Sequence, residues 1–170
     1  MLKIFNDLEP FFRDNYQRIN VREYARIRKM SPPSASALLS NLEKEGLLNV
    51  EKEKNYIYYH ANREDREFIE LSRIYWHKIF QKTGLIKYFE KELIEPIIIL
   101  FGSFSKAEIK KNSDIDLAVF TFSTKKLETA KYEKVLGRKI QIFTFKDKND
   151  IKNKELLNNI LNGYKIIGGW

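Results

Sequence analysis

Phe101-Gly102-Ser103-Phe104-Ser105-Lys106, followed by Ser113-Asp114-Ile115-Asp116-Leu117, is the stretch on which the fold turns. Ahead of it Pro96-Ile97-Ile98-Ile99-Leu100-Phe101 is a continuous apolar run of strand length, and residues 114–122 alternate and are rich in β-branched and aromatic side chains. The predicted order is strand, small-residue turn, short helix, strand. Gly102 lets the backbone approach a phosphate closely, Ser103 offers a hydroxyl and an amide, and a helix opening over 104–109 turns its amino end toward anions. The two-residue period of a strand sends Asp114 and Asp116 to one side and Ile115 and Leu117 to the other. Two carboxylates at that spacing suit Mg2+ or Mn2+, hard cations held by few carboxylates together with the phosphates of a nucleoside triphosphate. Lys106 is a further candidate for phosphate contact, and Lys110 and Lys111 precede the aspartates as plain loop charges or as attraction for an anionic substrate.

The 170 residues, 43% apolar and 14% aromatic, are enough to bury a core in one domain or two small ones. The absence of cysteine excludes disulfides and thiolate metal sites. Met1-Leu2-Lys3-Ile4-Phe5-Asn6 has no apolar signal region, and no apolar run approaches the ~20 residues that span a bilayer, so a cytoplasmic location is expected. A formal charge of +8 favours anionic partners or serves solubility alone. Much of the excess falls in the last third, at Lys125, Lys126, Lys131, Lys134, Arg138, Lys139, Lys146, Lys148, Lys152 and Lys154, whereas the first third is near balance.

In that first third, residues 21–30 read as a short helix with Val21, Tyr24 and Ala25 inward and Ile27 as a further candidate. Ser31-Pro32-Pro33 then supplies an N-cap and a first helical turn. Ala35, Leu38, Leu39 and Leu42 recur at helical spacing up to Gly46, where a left-handed cap is expected. Leu47-Leu48-Asn49-Val50, a charged tip over 51–55 and Tyr56-Ile57-Tyr58-Tyr59-His60 read as a hairpin. This order resembles the winged helix-turn-helix family over residues 1–62, with a first helix over 4–19. The resemblance implies that the second helix of the pair meets the major groove of DNA. Its exposed positions are then Pro33, Ser34, Ser36, Ala37, Ser40 and Asn41, none of them Arg or Lys, so base readout rests on Ser and Asn. Phosphate contacts fall to Arg22, Arg26, Arg28 and Lys29 and, in the wing, to Lys52 and Lys54. A module for protein contact or dimerisation is the plainer alternative.

Residues 63–95 read as a helical connector. A helix over 62–81 carries Phe68, Ile69, Leu71, Ile74, Tyr75, Trp76, Ile79 and Phe80, an apolar face too wide for one small domain. It is covered either by the carboxyl-terminal domain or by the same helix of a twin subunit in a homodimer. Thr83-Gly84 ends it and a second amphipathic helix follows over 85–93. His60 and His77 stand alone, without a ligand set around them.

The Gly-Ser turn and the Asp-x-Asp pair, over residues 85–170, look like those of the minimal nucleotidyltransferases of the polymerase-β-like superfamily. Residues 158–168 are similar to that family's closing helix and strand. The two resemblances together imply an α+β chain: a winged helix (1–62), a helical connector (63–95), and a small α/β nucleotidyltransferase fold with a mixed sheet (96–170), and the second adds roles for its residues. It implies that Gly102, Ser103 and Lys106 hold an NTP, ATP foremost, and that Asp114 and Asp116 bind the metals that organise transfer of a nucleoside monophosphate. The family's third carboxylate sits on a following strand, here Arg138-Lys139-Ile140-Gln141-Ile142-Phe143-Thr144-Phe145, at Gln141. A neutral amide supplies no charge. Binding without turnover, slow transfer on two aspartates, or rescue by Asp147 are the alternatives. Ala107 stands where many relatives carry glycine.

Two functions from different classes follow. One is a nucleotidyltransferase acting on an acceptor such as a protein hydroxyl, since some small relatives are antitoxins that modify a partner. The other is a DNA-binding transcriptional regulator whose second domain senses nucleotide or mediates assembly.

Overall fold

The structure, a computed structural model, describes residues 2–169 and divides into two compact units. One takes in the chain up to Ser72 together with Ala107–Lys111, and the other holds Arg73–Lys106 and the chain from Asn112 onward. No helix among the described residues is long and apolar enough to cross a membrane.

The first unit runs α1 (Lys3–Arg13), β1 (Ile19–Asn20), α2 (Val21–Arg28), α3 (Pro32–Lys44), β2 (Leu48–Glu53) and β3 (Tyr56–Ala61), and it contains the start of α4 (Arg66–Thr83). Local chemistry sets these boundaries. Asn20 and Glu23 form a reciprocal capping box at α2, and Ser31 accepts a hydrogen bond from the Ser34 amide ahead of Pro32 and Pro33. Between the two helices Lys29 adopts a left-handed conformation at φ 52°, and Gly46 does so past α3 at φ 79°. The strands form an antiparallel sheet in the order β1-β3-β2, joined at its tip by Lys54 and Asn55. Leu8, Phe11, Phe12, Ile19, Tyr24, Ala35, Leu39, Leu42 and Phe68 are buried here, and the Tyr24 hydroxyl donates to the Asp7 carbonyl at 2.7 Å. Burial pushes that phenol up to about 12.

Several expectations need correction. The first helix stops at Arg13 rather than running to residue 19, because Asp14 accepts from the Tyr16 amide in a local turn and Ile19 pairs with Tyr59. Ile27 lies exposed, on the outer side of a helix only eight residues long. The connecting helix starts at Arg66, not residue 62, since the Asp65 carboxylate caps the Phe68 amide. Its wide apolar face serves two cores: Phe68 packs on Phe12 in the first unit, and Trp76 packs on Phe104 in the second.

The second unit continues with α5 (Leu85–Glu92), β4 (Ile97–Phe101), α6 (Ser103–Lys106), β5 (Ile115–Phe120), α7 (Ala130–Leu136), β6 (Ile140–Phe145), a 3-10 turn (Lys148–Asp150), α8 (Lys154–Leu161) and β7 (Tyr164–Ile167). Its mixed sheet has the order β6-β5-β4-β7, with β5 and β6 parallel and the other pairs antiparallel. A parallel pair needs a crossover, and α7 lies within it. One sheet face buries Ile99, Phe101, Ala118 and Phe120 with Ile160 of α8. The alternate residues Ile98, Leu100, Leu117 and Val119 are buried on the other.

Asn15 is the buried polar link of the first unit. Only 1% exposed, it donates from Nδ2 to the Phe11 carbonyl at 2.7 Å and accepts at Oδ1 from the Ile109 amide at 2.6 Å. Asn15→Ala leaves both backbone groups without their partner, a loss of about 2–3 kcal/mol. A urea titration followed by circular dichroism is expected to show the midpoint falling accordingly, and an unchanged midpoint would refute the role.

Candidate functional site

The β4–β5 ladder ends where Phe101 faces Asp116, and on the other side of β5 Asp116 faces Gln141 of β6. Alternation puts Asp116 on the same face as Ala118 and Phe120, and Gln141 on the same face as Phe143 and Phe145. Asp114 comes one residue before β5, and its Oδ2 accepts a hydrogen bond from Gln141 Nε2 at 2.7 Å. Gly102 closes the group. It sits at φ 66°, and a Cβ there would lie 2.5 Å from Asp116 Oδ2, so the carboxylate occupies the space a side chain would need. The structure thus brings Gly102, Asp114, Asp116 and Gln141 together, with Ser103 next in the chain.

The electrostatics of the pair are unfavourable without a counter-ion. Burial pushes the Asp116 carboxyl above the usual carboxylate range, and the neighbouring Asp114 carboxylate pushes it in the same direction. Gln141 gives a hydrogen bond to Asp114 but no charge. Asp147 offers none here: it caps the 3-10 turn by accepting from the Asn149 amide, beyond the far end of β6 and about 20 Å along an extended chain at ~3.3 Å per residue. Among the described residues no group of three or more His, Cys, Asp or Glu could hold a metal ion.

The short helix expected over 104–109 is present but begins one residue earlier and ends three residues sooner. α6 has four residues and stops where Ala107 turns left-handed at φ 53°. So short a helix has little macrodipole. Lys106 reaches from it to α8, where its Nζ donates to Asn159 Oδ1 at 3.0 Å. Ser105 holds the turn closed, donating from Oγ to the Gly102 carbonyl at 2.9 Å. Arg73 and Arg138, neither singled out from the sequence, brace the neighbouring backbone at Ser105 and Ser113. No local pattern marks them, since their partners lie far along the chain. His77 is separate from this group, edge-on to Tyr164 and drawn below the usual imidazole range by burial and then by Lys78.

In the first unit, Arg26 and Lys29 are exposed, as are Ser34, Ser36, Asn41, Lys52 and Lys54, while Ser40 is half-buried. Arg28 is drawn inward, within 4.0 Å of Asp7 and 3.9 Å of Glu9. A cleft of ≈ 510 Å³ in the second unit is lined by Glu90, Glu95 and Pro96 and carries no basic residue. The first unit has one of ≈ 500 Å³ lined by Arg22, Arg26, Asn55, Tyr56 and Ile57. Its aromatic wall belongs to the hairpin, and strand periodicity alone did not single it out.

A carboxylate whose pKa is raised by folding stabilises the protein while it is protonated, and that contribution is lost as pH rises through the raised value. Asp116→Asn is therefore expected to raise the Tm of the ligand-free protein at pH 7. The advantage should vanish below the ordinary aspartate range, where Asp116 is neutral in both states. Calorimetry across pH 3–8 checks this, and a lower Tm for the variant at neutral pH would count against it.

The family model described as "Polymerase beta, Nucleotidyltransferase" matches residues 83–168, half of the chain. No curated protein and no solved structure matches it. The matched segment contains Gly102, Ser103, Asp114, Asp116 and Gln141 along with the mixed sheet that carries them, and the chain belongs to the polymerase-β nucleotidyltransferase family.

Proposed function

We propose that the second unit binds a nucleoside triphosphate, ATP foremost, with Mg2+ or Mn2+, and that nucleotidyl transfer is weak. The observation that carries this reading is the hydrogen bond from Gln141 Nε2 to Asp114 Oδ2 at 2.7 Å, at the register position facing Asp116. Asp114 and Asp116 would hold the cation: they are two hard oxygen donors whose mutual repulsion a cation relieves. When bound, it supplies charge neutralisation for the triphosphate. Gly102 and Ser103 receive the phosphates at the turn, and the lack of a side chain at Gly102 leaves room for Asp116 beside them. Gln141 withholds the third negative charge that would help deprotonate an acceptor hydroxyl, a protein hydroxyl among the candidates.

Isothermal titration with ATP and Mg2+, run beside transfer of label from α-labelled ATP, separates binding from chemistry. Wild type is expected to bind and to transfer near background, Asp116→Asn to lose binding, and Gln141→Asp to gain transfer by about 100-fold, the lower end for a positioned acid–base group. Absence of ATP binding by wild type removes the nucleotide reading. Binding by both proteins with transfer by neither leaves a nucleotide sensor instead.

The first unit is proposed as a winged helix-turn-helix module that binds DNA, which makes a transcriptional regulator with a non-catalytic sensing or assembly domain the second reading. The sequence of α1, β1, α2, α3 and hairpin supports it, as does the exposed pair Arg22 and Arg26 beside Tyr56. Arg18 supports it too, because it pairs with Glu51 and Glu53 and so offsets the acids of the hairpin. The face of α3 offers Ser34, Ser36, Ser40 and Asn41 and no Arg or Lys, which favours backbone contacts over base readout. Duplex binding should fall steeply with salt, and Arg26→Ala should make the log–log slope shallower by about 1, the share of a single neutralised phosphate. Salt-independent binding, or none at low ionic strength, would exclude this module as a DNA binder.

A further inference from the structure

Between Phe101 and Asp116 the ladder closes, but the residues that line the turn and those that lead into the aspartates lie beyond it. Gly102 to Lys106 and Asn112 to Asp114 therefore have no strand pairing to fix them against each other, and the five residues Ala107–Lys111 that link them in sequence group with the other unit. One side chain reaches both. Arg138 Nη1 donates to the Ser113 carbonyl at 2.9 Å, next to Asp114. Its guanidinium carbon also lies 5.3 Å from the ring centroid of Phe104, next to Ser103, and 5.5 Å from that of Trp76. Phe104 and Trp76 are fully buried and meet edge-to-face at 4.7 Å, so the rings form a fixed bed.

We infer that Arg138 is a positioning residue for the nucleotide site, setting the separation of the Ser103 turn from Asp114 by gripping the Ser113 carbonyl while lying on Phe104. This role rests on the nucleotide reading of that site. A guanidinium suits it because it is planar, with a ring-facing surface and directed N–H groups at its edge. Lysine has the charge without the plane, so it can reach the carbonyl or the rings but does not hold both in one geometry. The neighbouring main chain agrees with this placement: the Lys139 carbonyl accepts from the Ile115 amide at 2.9 Å, so Arg138 enters at the point where β6 first meets β5.

The test compares wild type with Arg138→Met, Arg138→Lys and, as control, Lys139→Met. Backbone amide resonances of the ligand-free proteins are read first, then the affinity for Mn2+–ATP by isothermal titration of the preformed complex into each protein. Both Arg138 variants are expected to move the Ser103 and Asp114 amides and to weaken Mn2+–ATP binding by about 10-fold or more, the scale for loss of a group that orients metal ligands. The control should do neither, and near-ultraviolet circular dichroism should stay native throughout. If Arg138→Met fails to fold, Arg138→Lys carries the comparison. Unmoved amides, or an affinity within about twofold of wild type in a folded variant, overturns the inference. A wild type that binds no Mn2+–ATP removes the nucleotide reading instead, and the amide shifts still decide whether Arg138 fixes the two segments.

Discussion

Parallel pairing of β5 with β6 is the constraint on which the site depends. It makes a crossover obligatory, which α7 fills, and its register places Gln141 and no other β6 residue opposite Asp116. A shift by one residue would turn Gln141 to the opposite face and bring Ile140 or Ile142 to the carboxylates. The same pairing carries Asp147 past the other end of the strand, where it is used as a cap. The identity of the third group at the site is therefore decided by strand register and not by which acid stands near in sequence.

A second constraint is space. Asp116 Oδ2 fills the position that a Cβ on residue 102 would take, so the turn and the carboxylate are mutually dependent. Glycine there meets two demands together, a backbone at φ 66° and the close approach of a charged side chain. Arg73 and Arg138 extend the same logic outward, each reaching from a distant element to a carbonyl beside the turn or the aspartates. A small turn and a half-buried strand end gain their definition from long side chains anchored elsewhere.

Much of this was legible because the deciding features are local. The apolar run before Gly102, the alternation around Asp116 and the Ser31-Pro32 helix start all follow from short-range rules, and each appears at or near its expected place. What was not legible depends on distant partners. The first helix ends early through a turn at Asp14 and a strand pair between Ile19 and Tyr59. The short α6 ends at Ala107, whose following residues answer to Asn15 across 94 positions of sequence. α7 was hidden among lysines, since only Tyr132 and Leu136 are buried in its seven residues and the hydrophobic period has no length to declare itself. Arg28 looked like an exposed cation until the fold set Asp7 and Glu9 beside it.

Gln141 acts on the carboxylate pair in two opposing ways. Asp116 already has its carboxyl raised by burial and by Asp114, and a third carboxylate at 141 would add repulsion that only bound cations could offset. The amide avoids that and satisfies one oxygen of Asp114 as well, which favours the ligand-free protein. The amide takes one acceptor position on Oδ2, so a cation approaching Asp114 would use Oδ1 or share Oδ2 with a neutral donor. A third negative charge beside the two aspartates and a hydrogen bond donated to Asp114 cannot both come from a single side chain. In this chain residue 141 provides the hydrogen bond, and the negative charge of the group comes from the two aspartates alone.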